Sequence, residues 1–370
     1  MKIPFFNYSK LYLKDKEIID QAYQSVMDRG AFILQEELKE FENALASYSG
    51  AKYSLGVANG TDAIWLSMMA CGLKPGDEVL IPSHTYIATV GAAKLLGINP
   101  ILVECGSDHL IDIDQLNDND QVTPKTKAII PVQLNGRTAN MDQVIDFANE
   151  NGLLIIEDAA QGIGSKFKRQ MAGTFGLTGT YSFYPAKTLG CFGDGGAILT
   201  NDDQIYNTLY ELRDHGRGKN GEYNQWGVNS RLDNLQAAIL LAKLKNLDEE
   251  IVRRREIAYR YTKAFSSIEM IITPPGPDEN ADHFDTYQNY EIECEQREKL
   301  MAFLYEKNIG TIIQWGGKAI HQIEALNFNS ELPYTNEIFK KCLLLPMNTT
   351  LTDESVEYII SVIQEFYIQS

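Results

Sequence analysis

The chain lacks the sequence features that are typical of secreted, disulfide-bonded or membrane proteins. Its 370 residues include only five cysteines, an odd number without a C-x-x-C pair. This scatter favours free thiols over a disulfide framework or a zinc site, and we expect no metal. The sequence also lacks an apolar run long enough for a signal peptide or a bilayer span. We therefore expect a soluble, cytoplasmic protein that has no membrane partner.

Basic residues are also scarce. Lysine and arginine total 33 against 50 aspartates and glutamates, which gives a formal net charge of −17. Because nucleic acids bind to basic surfaces, this balance argues against a nucleic-acid partner. We favour solubility as the reason for the acidity, and an anionic substrate would then need a local basic pocket.

The sequence is rich in short apolar segments, and 44% of its residues are hydrophobic. Strand-like runs alternate with amphipathic helical runs, a pattern typical of an α/β fold with a mostly parallel sheet covered on both faces. We predict a large domain over residues 1–250 and a small C-terminal α/β domain over 251–370. One long helix from Leu232 to about Phe265 is expected to link them. Ligands of such sheets bind beyond the carboxyl ends of the strands.

One lysine has surroundings that predict chemistry. Lys187 follows the aromatic pair in Ser182-Phe183-Tyr184 and precedes a glycine-rich run, which predicts a buried turn. Upstream, an apolar strand ends at Asp158, where a carboxylate needs a cation, a salt bridge or a capping role. A lysine that forms an imine and an acid that keeps a pyridine nitrogen protonated are what pyridoxal phosphate (PLP) requires.

Other residues at the predicted strand ends suit the same cofactor. Gln161 could bond the ring hydroxyl, and Tyr86 could stack on the ring face. The turn that includes Gly60, Thr61 and Asp62 enters a helix, so it is either an ordinary N-cap or an anion site. With Ser182, these residues are our candidates for holding the phosphate end.

Taken together, these motifs resemble the DegT/DnrJ/EryC1/StrS family of PLP-dependent sugar aminotransferases. The resemblance covers most of the chain, and several separate motifs in order make it specific. It is carried by Gly56-Val57-Ala58-Asn59-Gly60-Thr61-Asp62-Ala63, Pro75-Gly76-Asp77-Glu78-Val79, Thr85-Tyr86-Ile87-Ala88-Thr89, Glu157-Asp158-Ala159-Ala160-Gln161, Ser182-Phe183-Tyr184-Pro185-Ala186-Lys187 and the run from Asn229 to Ala238.

The resemblance implies the aspartate-aminotransferase fold (fold type I) and a homodimer with shared active sites. It implies that Lys187 binds PLP covalently and moves the proton, and that Asp158 pairs with the pyridine nitrogen. It also implies that Asn229 reaches the cofactor of the partner subunit. Some family members carry histidine in place of this lysine and dehydrate their substrate, so Lys187 favours transamination.

The family's reaction moves an amino group from L-glutamate to a ketone on a nucleotide-linked hexose. The stretch from Gln314 to Gln322 contains Trp-Gly-Gly-Lys, which is similar to members acting on 3-oxo sugars, and we predict a dTDP-linked 3-oxo-6-deoxyhexose. Asp214-His215-Gly216-Arg217 is also seen in 4-oxo enzymes. Our candidates for substrate binding, each of which could instead be a solvated surface residue, are Phe32, Tyr184, Arg217, Lys219, Lys318 and His321.

Three other functions remain open. A 4-oxo-sugar aminotransferase would share every cofactor residue, and a PLP dehydratase is disfavoured by Lys187. A non-catalytic binding or regulatory protein on the same fold would be expected to lose Lys187 or Asp158, and both are present.

Overall fold

A computed structural model of the chain describes residues 1–118, 121–278 and 281–369. The strands are β1 (Tyr53–Val57), β2 (Glu78–Pro82), β3 (Asn99–Val103), β4 (Thr126–Ile129), β5 (Leu154–Asp158), β6 (Lys166–Phe167), β7 (Gln170–Met171), β8 (Thr178–Ser182), β9 (Gly196–Thr200), β10 (Ile271–Ile272), β11 (His283–Phe284), β12 (Tyr290–Cys294) and β13 (Cys342–Leu345). The helices are α1 (Tyr8–Lys14), α2 (Lys16–Arg29), α3 (Glu36–Ser49), α4 (Gly60–Ala70), α5 (Ile87–Leu95), α6 (Ile113–Asp118), α7 (Met141–Asn151), α8 (Asp203–Leu212), α9 (Asn234–Leu244), α10 (Leu247–Phe265), α11 (Arg297–Glu306), α12 (Pro333–Lys341) and α13 (Asp353–Gln369).

The largest sheet has seven strands in the order β1-β9-β8-β5-β4-β2-β3. Its pairs from β3 to β8 are parallel, whereas β9 runs antiparallel to both of its neighbours. The strands other than β9 therefore end at the same edge. The predicted α/β fold with a mostly parallel sheet is confirmed.

Strand β9 shows how this sheet is covered on both faces. Ala197 and Leu199 pack in one apolar cluster with α3 and α9, whereas Ile198 packs in another cluster with α4 and α8. Successive side chains of a strand point to opposite faces. Each face therefore buries its apolar residues under its own pair of helices.

A second apolar cluster lies around the three-stranded sheet β10-β12-β13. It includes buried residues of α10, α11 and α13. Helix α10 contributes to both regions, because Leu247 and Ile251 pack against the large sheet while Tyr261 and Phe265 belong to the second cluster. The predicted division after residue 250 falls inside this helix and stays a prediction.

The predicted single helix from Leu232 to Phe265 is wrong. Helix α9 ends at Leu244 and α10 begins at Leu247. Between them, Asn246 has φ −106° and ψ 8°, and an asparagine side chain competes with helical backbone bonds. The apolar pattern of the sequence does not indicate this break, because Leu244 and Leu247, on either side of it, pack into the same cluster.

The cysteines fit the predicted free thiols. All five are unpaired, and four of them are buried. Among the helices of the described residues, none has the length and apolar character needed to cross a bilayer.

Candidate active site

A cavity of about 720 Å³ lies at the carboxyl ends of β1, β2, β5 and β8. Parallel strands bring residues that are distant in sequence to this one edge of the sheet. The predicted residues that line the cavity are Gly60, Thr61, Asp62, Tyr86, Asp158, Gln161, Ser182, Tyr184 and Lys187.

Asp158, the last residue of β5, is buried in the cavity wall. Its Oδ2 accepts a hydrogen bond from Thr89 Oγ1 at 2.6 Å, and its Oδ1 accepts one from the amide of Ala160 at 3.1 Å. Burial raises the pKa of this carboxyl, and the two hydrogen bonds and the charge of Lys187 oppose the shift. A cationic ring nitrogen would stabilise the charged form in the same way.

Lys187 lies on a turn after β8, where its amide donates to the carbonyl of Tyr184 at 2.8 Å. Burial lowers the pKa of its ammonium group to about 8, although the charge of Asp158 acts in the opposite direction. At neutral pH the neutral amine, which is the nucleophilic form, is therefore a larger fraction of this side chain than of an ordinary lysine.

The lysine turn is fixed by Gln288, a buried residue two positions before β12. Gln288 Oε1 accepts from the amide of Thr188 at 2.6 Å and from its hydroxyl at 2.8 Å. Gln288 Nε2 donates to the carbonyl of Ala186 at 2.9 Å. Both peptide neighbours of Lys187 are thus held by one amide side chain.

The first residues of α4 form another part of the cavity wall, separate from the lysine turn. Asn59 caps this helix by accepting a hydrogen bond from the amide of Asp62 at 2.8 Å. A Cβ on Gly60 would lie 2.8 Å from the Cβ of Ser182, so only glycine fits this approach. The unpaired amides at a helix N-terminus attract anions, and this end of the cavity suits a phosphate.

Asp62 lines the cavity, but its carboxylate already has protein partners. It accepts from Ser230 Oγ at 2.6 Å and from Trp65 Nε1 at 3.1 Å. These bonds fix the start of α4 against the segment that precedes α9. Asp62 therefore positions the start of α4, and two hydrogen-bond donors stabilise its negative charge.

Gln161 and Tyr86 lie on the remaining walls. Gln161 Oε1 accepts from the amide of Asn135 at 2.8 Å, which leaves its Nε2 as the donor of this side chain. Tyr86 is 57% exposed, and its ring is therefore open to a flat ligand.

Several predicted residues lie outside the cavity formed by the described residues of this chain. Arg217 is exposed beside Asp214 and over the ring of Tyr223, and Lys219 lies over the ring of Tyr206. Asn229 and Phe32 are exposed as well.

The two candidates of the C-terminal part also lie away from the cavity wall. Lys318 is exposed just after the 3₁₀ helix Gln314–Gly317. His321 is held by both ring nitrogens, with Nδ1 2.7 Å from Ser83 Oγ and Nε2 2.9 Å from Asn336 Oδ1. These bonds give His321 a role in packing the segment after β2.

The sequence interpretation missed some residues of the site. Thr85 Oγ1 lies 2.7 Å from Thr89 Oγ1, so two hydroxyls extend from Asp158. Their four-residue spacing at the start of α5 could have indicated a shared face. Trp315 lines the cavity with a positive φ of 48°, and only its place in the Trp-Gly-Gly-Lys stretch drew attention to it.

These features fit PLP. Among the described residues, the buried carboxylate of Asp158 forms no ion pair at salt-bridge distance, so it has capacity for a ring cation. The amine of Lys187 has a lowered pKa, and a glycine-dependent helix N-terminus closes the far end. The three groups match the ring nitrogen, the aldehyde carbon and the phosphate of the cofactor.

Comparison with known proteins gives relatives along nearly the whole chain. A pleiotropic regulatory protein of Geobacillus stearothermophilus is 37% identical, with 99% of each chain covered. UDP-2-acetamido-2-deoxy-3-oxo-D-glucuronate aminotransferase of Pseudomonas aeruginosa is 35% identical, covering 96% of this chain and 98% of the relative. dTDP-3-amino-3,6-dideoxy-alpha-D-galactopyranose transaminase of Aneurinibacillus thermoaerophilus is 37% identical, covering 98% and 99%.

A solved structure gives the same result for the fold. The crystal structure of S. venezuelae DesV in complex with a ketimine intermediate superposes with a TM-score of 0.94 at 32% identity, covering 99% of this chain and 98% of that one. The matching family model spans residues 13–364. The chain belongs to the DegT/DnrJ/EryC1/StrS aminotransferase family and is a PLP-dependent enzyme of fold type I.

Proposed function

We propose that this enzyme transfers the amino group of L-glutamate to C3 of a dTDP-linked 3-oxo-6-deoxyhexose. The product would be a 3-amino-3,6-dideoxy sugar for a surface polysaccharide, such as a lipopolysaccharide O-antigen, or for a glycoside. The observation that carries the proposal is the presence of Lys187 and Asp158 in one cavity at the strand ends. The choice of C3 is supported by relatives whose names specify that position, among them the two sugar aminotransferases compared above.

In this proposal, Lys187 and Asp158 perform the chemistry. Bound PLP accepts electrons from the carbon that loses or gains the amino group. Asp158 keeps the ring nitrogen protonated, and Thr89 stabilises the charged carboxylate that this requires. Lys187 would bind the cofactor covalently. As a free amine it would take a proton from the carbon that loses the amino group and, in the second half-reaction, give a proton to the carbon that gains it, for which its lowered pKa suits it.

We assign the remaining cofactor contacts to residues of the cavity walls. Gly60 and Thr61 would offer amides at the start of α4 to the phosphate, and Ser182 would add a hydroxyl. Gln161 would donate its Nε2 to the ring oxygen because its Oε1 is bound to Asn135. Tyr86 would cover one ring face.

We further propose that the enzyme is a homodimer whose active sites contain residues of both subunits. Asn229 and Arg217 are exposed on a loop that also carries Trp226, which is 95% exposed. In the dimer, this loop and Phe32 would line the partner's cavity, with Arg217 and Lys219 toward the diphosphate. Tyr184, which lines the cavity, would contact the sugar from the subunit that holds the cofactor, and His321 would support it indirectly by packing the segment after β2. Sugar binding by Lys318, which lies outside the cavity wall, stays a prediction.

A substrate panel tests the acceptor. Holoenzyme would be incubated with L-glutamate and, in separate reactions, with 3-oxo and 4-oxo deoxyhexoses linked to dTDP, UDP or GDP. We expect the dTDP-linked 3-oxo sugar to react fastest, and product mass and NMR would place the new amino group at C3. Faster amination at C4, or of a UDP- or GDP-linked sugar, would contradict the proposal.

A 4-oxo acceptor is the second candidate function. It is favoured by Asp214-His215-Gly216-Arg217, whose resemblance to 4-oxo enzymes conflicts with the Trp-Gly-Gly-Lys stretch. The same panel separates the two.

A regulatory role without catalysis is the third candidate function, because one relative is named a regulatory protein. The paired presence of Lys187 and Asp158 supports catalysis. Purified holoenzyme should be yellow and lose this colour on addition of L-glutamate, and Lys187→Ala should remove both the colour and turnover. A colourless wild-type protein would favour the regulatory role without catalysis.

A further inference from the structure

A second cluster of reactive side chains lies outside the cofactor cavity. His84 follows β2, His109 lies between β3 and α6, and Glu291 lies on β12. One ligand atom from each of the three lies within 4.8 Å of the others. The cluster therefore joins the carboxyl edge of the large sheet to the three-stranded sheet.

The side chains of this cluster are incompletely hydrogen bonded. Among the described residues, neither ring nitrogen of His84 has a hydrogen-bond partner, although this residue is only 1% exposed. Glu291 Oε1 is also buried and unpartnered. Its Oε2 lies 3.8 Å from His84 Nε2 and 2.8 Å from His109 Nδ1. Buried polar atoms without partners are uncommon in folded proteins, and a bound ion is one explanation of them.

We propose that His84, His109 and Glu291 bind a divalent cation of the zinc class. Two imidazoles and one carboxylate are a donor set that zinc takes in proteins, with water in a fourth position. A cavity of about 50 Å³ beside His109 and Glu291 has room for that water. Binding would satisfy His84 Nε2 and hold three distant chain segments together.

Groups around the cluster are placed to orient these ligands. His109 Nε2 lies 3.3 Å from Glu293 Oε1, so a carboxylate supports the ring nitrogen that faces away from the ion. Asn135 Nδ2 donates to Glu291 Oε2 at 2.9 Å. The backbone amide of Asn135 also donates to Gln161, which connects the cluster to the cofactor cavity.

The charges of the cluster agree with a bound dication. Glu291 and Glu293 bring two negative charges to one buried region, and neutral His84 and His109 would leave both without compensation. A dication balances them. An ion pair between a protonated His109 and the two carboxylates is the competing explanation, and within the described part of the chain it leaves both ring nitrogens of His84 without a hydrogen bond.

Metal binding by the PLP-loaded holoenzyme tests the proposal. After treatment with a chelator and its removal, Zn²⁺ binding would be measured by equilibrium dialysis and elemental analysis. We expect one tightly bound ion per chain, and at least about tenfold weaker binding by His109→Gln and Glu291→Gln. His215→Gln, which changes an exposed histidine outside the cluster, is the matched control and should bind as the wild type does.

Co²⁺ provides a second measurement on the wild type, which keeps the test valid if a variant misfolds. A four-coordinate ligand-field spectrum from one Co²⁺ per chain would support the site, and Zn²⁺ should displace it. Fewer than one tight ion per wild-type chain, or equal binding by all three variants, would overturn the proposal. An aquo-type Co²⁺ spectrum would overturn it as well.

Discussion

The side chain of Lys187 allows a direct test of its environment. Burial lowers the pKa of its ammonium group to about 8, and the charge of Asp158 partly opposes this. Only the free amine attacks the PLP aldehyde. The rate of PLP capture by cofactor-free enzyme should therefore rise with pH through about 8 and then level off. Stopped-flow absorbance across neutral and alkaline pH measures the midpoint.

Asp158→Asn gives the matching change in the same experiment. It removes the charge that raises the pKa of Lys187, so the midpoint of PLP capture should move to lower pH. Asp142→Asn, which alters an exposed acid paired with Lys168, should leave the midpoint unchanged. A wild-type midpoint near the usual lysine pKa of about 10.4 would show that Lys187 is solvated.

Thr89 is expected to position Asp158 without touching the substrate. Its hydroxyl donates to Asp158 Oδ2 at 2.6 Å, which favours the charged carboxylate against the effect of burial. Thr89→Val keeps the shape but loses this bond, so the pKa of Asp158 should rise further. We expect kcat to fall about tenfold, the effect of losing roughly 1.4 kcal/mol of interaction.

The readouts for Thr89 are kcat and the absorption spectrum of the bound cofactor as a function of pH. Thr89→Ser should restore both. Thr138→Val removes a buried hydroxyl that bonds Ser165 instead, and it serves as the control. Equal kcat values for Thr89→Val and Thr138→Val would rule out the positioning role.

At the scale of single residues, the sequence predicted nine of the residues that line the cavity, because those residues follow strands that end at one edge. It missed Thr89 and Gln288, whose contacts join distant parts of the chain: Thr89 meets Asp158, and Gln288 meets Thr188. Such contacts depend on packing between elements and leave no local pattern.

Helix α4 is the element on which the proposed phosphate binding depends. Gly60 begins it, and a Cβ there would lie 2.8 Å from the Cβ of Ser182. Gly60→Ala should push the helix N-terminus from the strand end and weaken PLP binding about tenfold, since the anion loses aligned amides. Equilibrium dialysis of PLP gives the dissociation constant.

Gly91→Ala is the control for this change. Gly91 lies in α5, and no atom approaches within 4 Å of the position its Cβ would take. Alanine there should leave PLP affinity unchanged and slightly increase stability, because alanine favours helix over glycine. Unchanged PLP affinity in Gly60→Ala would mean that the phosphate does not bind at α4.

At the scale of elements, local patterns predicted the alternation of strands and helices that builds the large sheet, but they did not identify β8 (Thr178–Ser182) as a strand. They did not predict the place of the antiparallel strand β9 between β1 and β8, because strand order depends on long-range pairing. They also joined α9 and α10, because the apolar period continues across Asn246. The period of apolar residues indicates which face of a helix is buried. It cannot reveal a break between two helices when both bury the same face.

For the whole molecule, exposed aromatic side chains bear on the proposed dimer. Trp226 is 95% exposed and Tyr223 is 67% exposed, both on the loop that carries Arg217. Phe32 is 49% exposed. Exposed apolar side chains are candidates for burial at an interaction surface. In the proposed dimer, the second copy of the chain would bury these rings and bring Asn229 toward the partner's cofactor.

Mixed dimers test whether Asn229 acts in the partner's site. Lys187→Ala and Asn229→Ala subunits, carrying different affinity tags, would be coexpressed and purified through both tags. If Asn229 serves the opposite subunit, each heterodimer has one site with both residues intact and one with neither. The heterodimer should then show about half of the wild-type activity, while either variant alone shows little.

If Asn229 serves its own subunit, each site of the heterodimer lacks one residue, and activity should stay at the level of the variants. Full activity of Asn229→Ala alone would mean that the residue has no part in either site.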